Sequence, residues 1–250
     1  MKKIAFTFFA GSAILLTSCL ETTQEITLNE DGTGIYVNTN DMGKVLTVAK
    51  NMGAASTDKI PQQVIDTSFS FALAADSMAN LSPEEKELLK KGSIHIQMNV
   101  ADEKLLTIMS FPFSTLNEIQ KFSSISGKMM IETMKSKMSA GMPMGSEAMP
   151  EPSSFDDYYT LEFSKGELKK KLNKEKYASV DKDEFLNGMK QAESMGIPVS
   201  STFVINLPRP AESVEGKKVK LSEDKMKVTV LTTMDDFYDN PEDLEFKIKY

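Results

Sequence analysis

The chain is predicted to fold as an α+β protein, a mainly antiparallel sheet with about four helices packed on one face. Three observations carry this expectation. Ile94, Ile96, Met98 and Val100 alternate with polar residues, Ala101-Asp102-Glu103-Lys104 turns the chain, and Leu105 to Phe113 returns. That period of two describes a hairpin with one covered face. Ser82-Pro83-Glu84-Glu85 is a capping box with proline at the first helical position. Paired strands followed by a helix then recur in both halves, the arrangement of an antiparallel sheet covered by helices. No repeat at the level of residues accompanies this order.

In chain order, Ile26 and Leu28 begin an alternating strand, Asn29 to Gly34 turns, and Ile35-Tyr36-Val37 returns. The Asp31-Gly32 pair is a hairpin tip. Asn29, Asp31 and Thr33 have the spacing of a calcium loop but lack the Glu that closes one, so a turn is expected. Asp41 caps a helix to about Met52, with Met42, Val45, Leu46 and Ala49 on one face. Residues 53–63 are small and polar, a loop. Phe69, Phe71 and Leu73 alternate as a strand. The helix opened by Ser82 ends at Lys90-Lys91-Gly92, where cations suit the helix dipole and glycine suits the C′ position.

A longer helix follows Ser114, with Leu116, Ile119, Phe122, Met130 and Met134 inward and Gly127 as a point of weakness. Residues 139–154 mix Met, Pro and Gly without an apolar period, and a flexible loop inserted between elements of one sheet is expected there. Tyr159, Leu161 and Phe163 alternate, Gly166 turns, and Leu168 to Leu172 returns. Lys169, Lys170 and Lys171 on that strand read as edge protection. Asp181 and Glu184 open a helix carrying Phe185, Met189 and Ala192, stopped by Gly196 and Pro198. Strands follow at 199–207, around Val219 and Leu221, and at 226–230. The last strand, Leu244 to Tyr250, should pair inside the sheet, because its apolar alternation runs to Tyr250.

Composition narrows the function classes. The first 18 residues carry Lys2 and Lys3 and no acid, so residues 19–250 hold 27 basic against 36 acidic side chains, a net charge of −9. That balance argues against nucleic acid and against polybasic binding to anionic lipid. Cys19 is the single cysteine and His95 the single histidine. No disulfide can form, and histidine triads and histidine metal sites have no second imidazole. His95 is expected on the outward face of its strand. No phosphate-binding loop, zinc-protease motif or nucleophile elbow is present. The acid pairs Asp156-Asp157 and Asp235-Asp236 lie in loop-like contexts, where adjacent acids diverge. A non-enzyme is expected, with no cofactor, no metal and no catalytic residue.

Two alternative ligands are weighed. Met130, Met134, Met138 and Met142 recur every fourth residue, and thioethers select Cu(I); a Met-rich core face is favoured. Phe69, Phe71, Phe111, Phe113, Phe203 and Phe246 could line a cavity for an apolar or lipid ligand, with a solid core favoured.

The front end carries the clearest message. Lys2 and Lys3 precede an apolar run, Ile4 to Leu16, too short to span a bilayer but suited to an export signal. Its end, Leu16-Thr17-Ser18-Cys19, resembles the lipobox of bacterial lipoproteins. The resemblance implies diacylglycerol on the Cys19 thiol, cleavage after Ser18, and acylation of the new amino terminus, so that two or three chains anchor the protein stably. The expected organisation is a signal peptide at 1–18, a lipidated Cys with a short tether at 19–24, and a single α+β domain at 25–250. Five tether residues span at most about 18 Å.

The plan is similar to uncharacterised Bacteroidota lipoproteins and, through Cys19, the Asp31-Gly32-Thr33-Gly34 hairpin and the mixed body, to the LppM-type lipoprotein domain; the terminal transmembrane segment of that type is not seen here. Leu20 is not the Asp that retains enterobacterial lipoproteins at the inner membrane, and Glu21 alone is not a surface-export acidic run. The resemblance therefore implies the periplasmic face of the outer membrane. The expected partners are the membrane, through the acyl chains, and an envelope protein or apolar ligand. The expected role is non-catalytic binding or assembly.

Overall fold

A computed structural model describes residues 20–44, 64–138, 150, 153–164, 166–194 and 196–250. Cys19, most of the 41–52 helix, the 53–63 loop and nearly all of the Met/Pro/Gly-rich segment lie outside these residues. The described residues form twelve strands in two mostly antiparallel sheets, together with six α-helices.

The larger sheet has eight strands. They are β1 (Leu20–Leu28), β2 (Gly34–Asp41), β3 (Ile65–Ser70), β4 (Ser93–Asn99), β5 (Lys104–Phe113), β8 (Val199–Asn206), β10 (Val219–Leu221) and β11 (Lys227–Thr233). Their spatial order is β10-β11-β8-β1-β2-β5-β4-β3. The smaller sheet runs β6 (Tyr159–Ser164), β7 (Glu167–Leu172), β12 (Phe246–Lys249), β9 (Ser213–Glu215). The β1–β8 pair is parallel, and the other described ladders are antiparallel. Because β8 returns to pair with β1, both halves of the chain share the large sheet. One sheet was expected; the second arises because β6, β7, β9 and β12 pair among themselves.

The helices are α1 (Ala72–Ser77), α2 (Pro83–Lys90), α3 (Leu116–Met138), α4 (Lys174–Tyr177), α5 (Glu184–Ser194) and α6 (Met234–Asp239). In place of four helices on one face, the inner face of the large sheet is shared. Around β5, Phe122 of α3 stacks on Phe111 with centroids 4.2 Å apart, and Phe71 lies 6.0 Å from Phe122. A Cβ at Gly92 would collide with the Phe122 ring. Around β8, the small sheet takes over: Phe246 of β12 faces Phe203 at 6.3 Å. Helices α4 and α6 meet around Phe237, whose ring meets Phe155, Tyr158, Tyr159, Tyr177 and Tyr238.

Local chemistry explains the elements. The Ser82 box forms in full: the Ser82 hydroxyl accepts from Glu85 N and the Glu85 carboxylate accepts from Ser82 N. Helix α3 buries Leu116, Ile119, Phe122, Ile125 and Met129 at three- and four-residue spacing. That burial carries it unbroken through Gly127, whose penalty relative to Ala is about 1 kcal/mol. Strand β1 starts at Leu20, so the expected tether Leu20–Gln24 is instead strand: Glu21 faces Asp41 of β2 and Ser200 of β8. Thr22 and Gln24, which alternate along this stretch, are polar, which hid it. Strand β7 is flanked by β6 and β12, so its lysines are not on an edge. The last strand does pair inside a sheet, between β7 and β9.

Replacing Phe122 with Ala is expected to lower the unfolding free energy by about 3–5 kcal/mol. Phe69 is 53% exposed on β3, and Phe69→Ala should cost under about 1 kcal/mol. Urea unfolding followed by circular dichroism compares them. A Phe122→Ala loss no larger than that of Phe69→Ala would mean the helix layer is not seated on Phe111.

Candidate functional site

Among the described residues a polar seam links the two sheets. Alternation on β7 turns Leu168, Lys170 and Leu172 one way and Lys169 and Lys171 the other. Lys170 is therefore 3% exposed, and its ammonium pairs with the Asp156 carboxylate. The same ammonium lies 4.5 Å from the Tyr159 ring centroid and 5.1 Å from that of Phe203. Asp156 is held by a 3₁₀ turn, Phe155–Tyr158, closed by Ser154 N donating to Asp157 at 2.7 Å.

From Asp156 the seam crosses to the large sheet. Gln24 Nε2 donates to Asp156 Oδ2 at 2.7 Å, and Tyr36 OH donates to Gln24 Oε1 at 3.0 Å. Asn38 Nδ2 donates to Tyr36 OH at 3.1 Å, Asn40 Nδ2 to Asn38 Oδ1 at 2.8 Å, and Thr22 Oγ1 to Asn40 Oδ1 at 2.9 Å. Six side chains from β1, β2 and the 3₁₀ turn are thus joined to one buried lysine. Burial pushes the Tyr36 phenol up to about 12, partly opposed by its bonds with Asn38 and Ser123. Burial also raises Asp157. The seam ties the two sheets together with every amide oriented, which is a structural role: a satisfied network sets register, and a broken one is costly.

A second constellation lies on the outer face. Ser68 Oγ is 2.7 Å from His95 Nδ1, and His95 Nε2 is 3.2 Å from Asp66 Oδ1. Asp66 also accepts from Gln97 Nε2 at 3.1 Å. His95 faces outward as its alternation required, but its partners were not foreseen, because β3 is separated from β4 by two helices. These are the residue types of a hydrolase relay. They lie on the open face of the edge strand β3 and its neighbour β4, with Ser68 and Asp66 exposed, and a hydroxyl nucleophile needs donors aimed at a developing oxyanion in a water-poor site.

The other residues weighed for chemistry resolve as structure. Asp31 accepts from Thr33 N at 3.0 Å and from Thr33 Oγ1 at 2.7 Å, which lowers its pKa, and Gly32 sits at φ +85°. Asp156 and Asp157 serve different partners. Asp236 pairs with Lys218 at 2.7 Å while Asp235 is exposed, in the first turn of α6 capped by Thr233. Phe71, Phe111, Phe113, Phe203 and Phe246 are buried in the packed core, and Phe69 is at its edge. Met129 is buried and Met130 half-buried; the side chains of Met134, Met138 and Met142 lie outside the described residues, as does Cys19. Among the described residues no group of three or more His, Cys, Asp or Glu side chains is placed to hold a metal ion. An open groove of about 490 Å³ is lined by Leu172, Tyr177, Asn240 and Pro241 and bridged by Lys174–Glu242 at 2.7 Å.

No family model matches the chain, and no curated protein matches it. Among solved structures, it is similar to the folded domain of LppM from Mycobacterium tuberculosis, determined by NMR. The identity is 10% and the TM-score 0.37, over 93% of this chain and 91% of that one. Similarity at that level supports no functional transfer, and the reading of this chain rests on its own residues.

Two outcomes follow from the buried groups. Asp156→Ala leaves the Lys170 charge buried without its partner and should cost about 3–5 kcal/mol, while Lys170→Met combined with Asp156→Ala should recover much of that loss. A double variant as unstable as the sum of the single changes would show that the pair is uncoupled. All six tyrosines have raised pKa values, with burial the first cause in each. For Tyr36 the folded value of about 12 lies above the ordinary 10. Its stability contribution is therefore intact below pH 10 and is lost as pH rises through 12. Absorbance at the tyrosinate band should stay flat past the ordinary tyrosine range and then rise together with unfolding. Smooth titration of several tyrosines at the ordinary value in a folded chain would contradict this burial.

Proposed function

We propose that this chain is a lipid-anchored protein of the bacterial envelope whose folded part acts in binding or assembly and not in catalysis. The observation that carries the proposal is the junction at Cys19. An export-type segment ends in Leu16-Thr17-Ser18-Cys19, and the folded sheet starts one residue later, at Leu20. A cysteine placed at the border between an apolar leader and a central strand has little room for a structural duty in the fold. Alkylation of its thiol suits that place. Among the described residues no helix is long and apolar enough to cross a membrane, so the acyl chains are the attachment proposed. The non-catalytic reading is supported by the seam, whose groups satisfy one another, and by the open setting of Ser68, His95 and Asp66. A signal peptide at 1–18 and the periplasmic face of the outer membrane belong to the same proposal.

The test is Cys19→Ala in the native host. The wild-type chain should fractionate with membranes and incorporate labelled palmitate, and the variant should lose both. Unchanged fractionation and labelling would overturn the anchor. Protease treatment of intact cells reports the leaflet: survival of the domain agrees with a periplasmic position, and digestion places it outside.

A further inference from the structure

The two ends of the large sheet are distinct, and register assigns each loop to one of them. Leu20 of β1 faces Val199 of β8, and Glu21 faces Asp41 of β2. Asp41 faces Leu106 of β5, Asn99 of β4 faces Lys104, and Ile65 of β3 faces Met98. Thr233 of β11 faces Ser200. The near end therefore carries residues 41–43, 64–65, 99–104, 197–198 and 233–234. At the far end Leu28 faces Gly34, Gly34 faces Phe113, Ser70 faces Ser93 and Lys227 faces Asn206. The turns 29–33, 91–92 and 222–226 lie there. Strand β1 has nine residues, so the ends are about 27 Å apart at a strand's usual rise.

Strand β1 is also gripped on both sides from its first residues, by β2 and by β8. Consecutive Cα atoms are about 3.8 Å apart, so Cys19 can lie no farther than that from the near end of the sheet. We infer that the sheet stands on edge on the lipid surface, with the near end against the headgroups and the far end presented to the periplasm. This rests on the proposed acylation of Cys19 and adds an orientation to it. Charge does not supply the orientation: among the described residues Glu21, Asp41, Asp102 and Glu103 outnumber Lys44 and Lys104 at the near end, which disfavours anionic headgroups. The covalent junction supplies it, and Val64, 65% exposed at the near end, gives that end an apolar side chain for the interface. A protein so held meets partners with its far-end turns and its outer face, not with the near-end loops.

The acylated full chain in vesicles of phosphatidylethanolamine and phosphatidylglycerol, doped with a headgroup nitroxide lipid, tests this. A fluorophore is introduced through an unnatural residue at Val64 or Ala101 for the near end, and at Glu30 or Glu223 for the far end. Quenching should be several-fold stronger at Val64 and Ala101. Equal quenching at both ends, in protein that floats with the vesicles, overturns the orientation and leaves the anchor standing. Failure to float overturns the anchor and the orientation with it. Inserting about ten Gly and Ser residues between Cys19 and Leu20 creates a flexible tether. Flotation should persist while the difference between the ends disappears; a difference that survives the insertion would show that the junction does not set the orientation.

Discussion

Strand β1 has a hydrogen-bonded neighbour along each side, and both ladders begin at its first two residues. The rest of the molecule depends on that placement. On one side β2 leads through β5 and β4 to β3, the part of the sheet covered by α1, α2 and α3. On the other side β8, which follows some 170 residues later in the chain, lies parallel to β1 and carries β11 and β10 with it. A parallel neighbour cannot be reached by a tight turn. The long connection between β2 and β8 contains the helical layer and two of the four strands of the small sheet, β6 and β7, and the two layers cover the inner face.

The polar seam resolves the conflict created where the two covers meet. Gln24, Asn38 and Asn40 point from a core-facing side of the large sheet, where apolar residues would ordinarily sit. Asn40 bonds to Asn38, Asn38 reaches Gln24 through the Tyr36 hydroxyl, and the series ends on Asp156 and Lys170 from the second cover. Apolar packing is tolerant of small shifts; a charge pair and a chain of oriented amides are not. The seam thus specifies how the small sheet sits over β1, while Phe111, Phe122, Phe203 and Phe246 supply the bulk of the burial.

Much of this was legible from residues alone. The hairpin at Asp31-Gly32, the Ser82 capping box, the β4–β5 alternation and the buried final strand all follow from local rules of period and capping. What escaped depends on distant partners. Thr22 and Gln24 look like part of a polar tether because what covers them, Asp156 and strand β8, lies far away in sequence. Lys169-Lys170-Lys171 looks like a uniform charged run, although the flanking Leu168 and Leu172 place Lys170 alone on the apolar side. Ser68, Asp66 and His95 meet only because β3 pairs with β4 across α1 and α2. The Gly127 break failed for a related reason: burial of α3 against the sheet outweighs a local penalty.

Strand β1 runs from Leu20, the residue next to the proposed lipidation site Cys19. Amide hydrogen exchange on the acylated protein in vesicles tests this placement most directly. Glu21 to Gln24 should exchange as slowly as Glu25 to Leu28, because neighbouring strands hold both segments equally. Exchange of Glu21 to Gln24 at the rate of an unstructured peptide, beside a protected Glu25 to Leu28, would contradict it and restore a free tether between membrane and fold.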